Sequence, residues 1–199
     1  MKPTTTLSRR QALKGTLGLS LAAREVASVI EARAATSTAG PSTLVAYFSR
    51  TGNTRLIATQ IARACGARLF RIEPREAYPE DYEEQVEQAE DERRRGLLPP
   101  LQASVSDFDA FDTVYLGIPI WGTTALSVVR SFLRTHDISG KTLVPFITHG
   151  GYGLGNSLAV VAEHVPGARL LDAFSKQCDQ EFQTLREVTE WLQAAGTGR

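Results

Sequence analysis

Thr43-Leu44-Val45-Ala46-Tyr47-Phe48-Ser49-Arg50-Thr51-Gly52-Asn53-Thr54 is an apolar, partly β-branched run that breaks into hydroxyl side chains around one glycine. The first six residues read as a buried strand. Asn53 to Ala64 then places Leu56, Ile57, Ile61 and Ala64 at helical spacing, and Cys65-Gly66 supplies the stop. A buried strand that turns through a short polar loop into a helix is the start of a β-α unit.

The same alternation continues toward the C-terminus. Ala67 to Glu73 reads as a second strand, Thr113 to Ile118 as a third, Thr142 to Thr148 as a fourth and Ala168 to Phe174 as a fifth. Helical patterns at Leu126 to Leu133, Leu158 to Val165 and Phe182 to Ala194 separate or follow them. Five such units predict an α/β fold with a parallel sheet covered by helices on both faces. Pro145 fits a central strand poorly, because it has no amide to donate, and it predicts a bulge or a local edge. Pro79 to Arg95 is too charged for a core and reads as a helix with a solvated face.

Toward the N-terminus, Ser8-Arg9-Arg10-Gln11-Ala12-Leu13-Lys14 precedes an apolar stretch, Gly15 to Ala23, and Ala32-Arg33-Ala34 offers a small-x-small cleavage pattern. Residues 1–34 are therefore expected to form a twin-arginine export signal, and 35–41 a small, polar linker. An amphipathic N-terminal helix is the alternative. Export would place the protein in the periplasm or outside the cell, and a silent signal would leave it in the cytoplasm. The 199 residues carry 22 basic and 22 acidic side chains; removing 1–34 takes away six basic and two acidic ones, leaving −4.

Composition excludes several classes. Hydrophobic residues at 42% and charged residues at 22% describe a packed domain rather than a disordered chain. No apolar run is long enough for a stable membrane span, and no basic excess marks a nucleic-acid groove. Cys65 and Cys178 are too few for a disulfide scaffold and, on opposite ends of the expected sheet, are not expected to pair. His136, His149 and His164 have no serine or cysteine partner that spacing identifies as a nucleophile.

In an open parallel sheet the loops at the carboxyl ends of the strands form the ligand crevice. The loop Ser49, Arg50, Thr51, Gly52, Asn53, Thr54 combines hydroxyl donors with the amides and positive dipole end of a helix, which suits a phosphate. It lacks the Gly-Lys-Ser/Thr of a triphosphate loop, and despite Glu73 further on it lacks the three glycines of a dinucleotide fingerprint. Its threonines are expected to be replaceable by valine without harm to the fold. The third strand runs into Pro119, Ile120, Trp121, Gly122, placing a flat aromatic at the rim. The fourth ends in Thr148, His149, Gly150, Gly151, Tyr152, Gly153, where backbone can lie against a ligand.

Together, and in this order, these segments resemble the flavodoxin-like family from about Thr43 to Ala194. Ser49 to Thr54 resembles its FMN phosphate loop, Pro119 to Gly122 the loop flanking the isoalloxazine, and His149 to Gly153 the third flavin-contacting loop of a subgroup. The resemblance implies that residues 42–199 form an FMN-binding domain with strand order 2-1-3-4-5. It implies electron transfer to a redox partner protein or a small-molecule acceptor, with an FMN-dependent NAD(P)H:quinone-type oxidoreductase as the alternative. A binding module that keeps the fold without flavin is a third class. This chain departs from the family's electron carriers in its modest −4 and in its Gly-Gly-Tyr-Gly third loop.

Overall fold

The computed structural model describes residues 42–121, 124–151, 153–177 and 181–195, with Tyr82, Trp121 and residues 181–186 described by backbone alone. The expected export signal and linker, Gly122, Tyr152 and Cys178 lie outside the described residues.

The elements run β1 (Thr43–Tyr47), α1 (Asn53–Cys65), β2 (Arg68–Arg71), α2 (Tyr82–Arg95), a 3-10 turn (Phe108–Ala110), β3 (Thr113–Trp121), β4 (Thr124–Ala125), α3 (Ser127–Thr135), β5 (Thr142–His149), α4 (Ser157–His164), β6 (Arg169–Leu170), β7 (Phe174–Gln177) and α5 (Glu181–Ala194). The sheet has the order β2-β1-β3-β5-β6, with β7 also on β5 and β4 hairpinned onto β3. Apart from that antiparallel hairpin, the pairings among these strands are parallel. This is the expected 2-1-3-4-5 order once the short β4 is counted.

Period-two alternation divides the core. Leu44, Ala46, Val114, Leu116, Ile118, Leu143 and Ile147 face one layer, which α3 fills with Val128, Val129 and Phe132. Val45, Tyr47, Tyr115, Val144 and Phe146 face the other, which takes Ile57 and Ile61 of α1 and Val188 and Leu192 of α5. The inner strands are thus apolar on both faces, as the unbroken runs predict.

Two boundaries and the burial of one helix differ from the sequence reading. β3 continues through Pro119 to Trp121, because Ile120 and Trp121 pair with Ala125 and Thr124 in the hairpin. The expected fifth strand is divided, β6 pairing with Thr142 and Leu143, and β7 with Phe146 to His149. In α2 most acidic side chains are exposed, yet Gln85, Ala89 and Glu92 form a buried stripe. The helix is well ended: Asp81 accepts the amides of Glu83 and Glu84, and Gly96 closes it at φ +65°.

Pro145 stands at a local edge. The Leu143 carbonyl accepts the Leu171 amide, so it faces the β6 side, and Pro145, two residues on, faces the same way. Its missing donor falls where β6 has ended and β7 has not begun.

His136 and His164 are structural. His136 is buried; its Nδ1–H donates to the Phe132 carbonyl (2.9 Å) and its Nε2 accepts the Val105 amide (2.9 Å). That pairing requires a neutral ring, and burial pushes its pKa below the ordinary histidine value. The native state therefore binds fewer protons than the unfolded chain as pH falls below about 6.5. Stability is expected to be complete above that value and to decline below it. Urea midpoints at pH 7.5 and 5.5 check this: His136→Asn should be weaker at neutral pH but show the smaller acid-side decline.

Candidate functional site

Strand register brings the sequence-identified segments to one sheet edge. Tyr47 lies opposite Gly117 on β3, and Pro119 opposite Thr148 on β5. The Phe48 amide donates to the Gly117 carbonyl (3.1 Å), carrying the β1–β3 ladder to the start of the loop. At Gly117 there is no room for a side chain: a Cβ there would stand 2.4 Å from Phe146 Cζ and 2.7 Å from Tyr47 Cβ.

The loop after β1 turns on Ser49 and Gly52. Buried Ser49 accepts, on its Oγ, the amides of Gly52 (3.2 Å) and Arg55 (3.3 Å). Gly52 holds φ +99°, ψ −13° at the N-cap of α1, a conformation that strains any residue with a Cβ. Its carbonyl accepts the Leu56 amide (2.9 Å), while the amides of Asn53 and Thr54, in the helix's first turn, have no carbonyl four residues back within the helix. No acidic residue occupies that turn. The arrangement presents the positive dipole end and N–H groups of a carboxylate-free first turn to an anion. Thr51 is exposed, and Arg50 sends Nη2 to the Glu80 carbonyl (3.0 Å), tying the loop to the connection before α2.

Thr54 behaves differently from Thr51. Its hydroxyl is buried against Thr148 at 2.9 Å, joining the first loop to the end of β5 across 94 residues. The expectation that both threonines are replaceable without harm therefore fails for Thr54. Thr54→Val should cost about 1–3 kcal/mol by stranding the Thr148 hydroxyl. The double change Thr54→Val/Thr148→Val should recover part of that in urea denaturation.

The other two segments keep their place at this edge. Pro119 is buried, Ile120 is half-buried against the core, and Trp121 is the last residue of β3, paired with Thr124. Pro119 to Trp121 thus belongs to a strand rather than to a loop. At the last residue of β5, His149 Nδ1 accepts the Gly151 amide (3.1 Å). Gly151 (φ +117°) and Gly153 (φ +74°) turn the chain through conformations open to glycine. Gly150 faces open space.

Sequence reasoning missed a cleft on the opposite side of the first loop. It holds about 750 Å³ and is bounded by Phe48 to Thr51, the 73–80 connection, Gln85 and Gln102. The signal available was Gln85, Ala89 and Glu92, one stripe at helical spacing within a run that read as uniformly solvated. Among the described residues, no group of three or more His, Cys, Asp and Glu is placed to hold a metal, and no helix is long and apolar enough to cross a membrane.

Comparison with known proteins gives consistent results. The family model described as Flavodoxin matches residues 42–195. A protein from Bacteroides eggerthii DSM 20697, assigned as a flavoprotein, superposes with TM-score 0.67 at 28% identity, covering 77% of this chain and 97% of its own. One from Bacteroides uniformis ATCC 8492, assigned likewise, gives 0.66 at 27% identity, with 75% and 98% covered. A flavoprotein from Lactobacillus acidophilus NCFM, solved in complex with FMN, shares the fold at TM-score 0.60 and 20% identity, with 72% and 97% covered. No curated protein sequence matches the chain.

Proposed function

Because this chain belongs to the flavodoxin family, we propose that it is an FMN-binding electron-transfer flavoprotein. The observation that carries the reading is the Ser49–Thr54 turn: hydroxyls and first-turn amides gathered at a helix start that has no acidic residue. These donors fit a phosphate monoester, and the L. acidophilus relative of the same fold is described in complex with FMN. Ser49, Arg50, Thr51, Gly52, Asn53 and Thr54 hold the phosphate. Pro119 to Gly122 and Thr148 to Gly153 border the ring.

When bound, the flavin supplies the electron chemistry, and the protein supplies orientation and electrostatics. The Thr54–Thr148 bond fixes the phosphate loop to the end of β5. Glycines 150, 151 and 153 let backbone, rather than side chain, approach the ring. Electrons pass to a redox partner protein or a small-molecule acceptor.

The modest charge of the chain without residues 1–34 favours a second reading, an FMN-dependent NAD(P)H:quinone-type oxidoreductase, because a carrier docking to basic partners gains from strong acidity. Residues 1–34 act as a twin-arginine export signal in this proposal. Changing Arg9 and Arg10 to Lys then lowers exported yield.

The test is an absorption spectrum followed by titration. The purified protein should be coloured, hold one FMN per chain and prefer FMN to riboflavin. A protein that binds no FMN, or binds riboflavin equally well, overturns the phosphate role. Steady NAD(P)H oxidation with a quinone selects the oxidoreductase over the carrier.

A further inference from the structure

The cleft on the β2 side of the first loop lies away from Pro119 and Thr148, which stand on the β3 and β5 side. Its volume of about 750 Å³ falls within the range of small-molecule sites. Its outer wall is held by backbone. Pro74 bridges Leu101, the Arg75 amide donates to the Pro100 carbonyl (2.7 Å), and the Gln102 amide donates to the Glu73 carbonyl (2.8 Å).

The polar groups are graded by depth. Gln85 borders the cleft from the first turns of α2; it is 3% exposed, and its Oε1 has no hydrogen-bond partner. A buried acceptor left unsatisfied is costly, which points to a donor brought from outside. Three guanidinium groups, Arg50, Arg71 and Arg75, border the same cleft from exposed positions, against the carboxylates of Glu73 and Glu80. Arg71 pairs with Glu73 at 3.2 Å, whereas Arg75 takes part in no ion pair among the described residues. Between floor and mouth the wall is apolar, formed by Phe48 and the ring of Tyr78, whose hydroxyl is held by Glu92 (2.8 Å).

We propose that this cleft is a second binding site, adjoining the proposed phosphate loop at Ser49 to Thr51 and reaching away from it toward Gln85, for a flat aromatic acid that carries a hydroxyl. The hydroxyl enters first, and the Gln85 amide turns about its terminal torsion to bring the buried Oε1 round to accept from it. The ring lies along Phe48 and Tyr78, and the carboxylate stays at the mouth beside Arg75. The site does not depend on the flavin, so a protein without FMN still binds the acid.

Calorimetric titration of the full chain with 4-hydroxybenzoate, with and without FMN, tests this. One molecule per chain should bind in both cases, and benzoate, which lacks the donor, at least about tenfold more weakly. That comparison needs no variant. Gln85→Leu should bring the two acids to the same affinity, Arg75→Ala should weaken both, and FMN affinity should be unchanged in either variant. Absence of 4-hydroxybenzoate binding, or equal binding of benzoate to the wild type, overturns the site. Loss of FMN affinity in Gln85→Leu also overturns it, by assigning the cleft to the flavin.

Discussion

Gly117→Ala should destabilise the domain by about 3 kcal/mol or more, the upper part of the range for overpacked cores. The added carbon would stand 2.4 and 2.6 Å from Phe146 ring atoms and 2.7 Å from Tyr47 Cβ. Neither neighbour yields easily, because Phe146 is fully buried and Tyr47 lies on β1 directly opposite. Relief requires the strands to part, and the Phe48 amide, which rests on the Gly117 carbonyl, would then move the phosphate loop with it. Urea denaturation is the measurement. Phe146→Leu placed in the Gly117→Ala background should recover part of the loss, and an unchanged midpoint in the single variant would show that the sheet can accommodate a methyl group.

Gly52→Val should lower FMN affinity by at least about a hundredfold, the equivalent of two charge-assisted hydrogen bonds. Gly52 sits at φ +99°, and valine would be driven toward negative φ, turning the amides of Asn53 and Thr54 away from their common focus. Flavin fluorescence titration separates this from a general defect. Riboflavin, which has no phosphate, should bind the variant as well as it binds the wild type, and a parallel loss for both flavins would place the damage elsewhere.

Both core layers were legible because parallel inner strands are written as apolar runs, Leu44 to Phe48 and Leu143 to Ile147 serving two layers at once, whereas the strand order came only with the resemblance to the flavodoxin-like family. Gly52 was legible for the opposite reason, as the lone glycine in a polar turn. The end of β3 was not. Pro119 reads as a break, and the two residues of β4 are too short to show a period, so only the pairing of Ile120 with Ala125 reveals the hairpin. The last strand was misread because Ala168 to Phe174 looks continuous, although after the Leu171 amide bonds Leu143 the chain leaves the ladder at Asp172 and Ala173 before β7 begins. The Thr54–Thr148 bond was hidden by its 94-residue separation. Gln85 was hidden by its neighbours, since an amide among carboxylates reads as solvent-facing until the packing is known.

The division of the outermost strand also bears on how copies of this molecule treat one another. An uncovered sheet border is a template on which a second chain can add, and growth from it leads to insoluble fibres. Here the border beside β5 consists of two residues, an interruption, and four more, one of which, Lys176, turns inward to Glu187 (2.8 Å). The opposite border, β2, is four residues long and carries exposed Arg68 and Arg71 at its ends. An incoming strand finds only short stretches of backbone to join, and at β2 it meets positive charge. Both margins of the sheet therefore offer an incoming strand little continuous backbone to join.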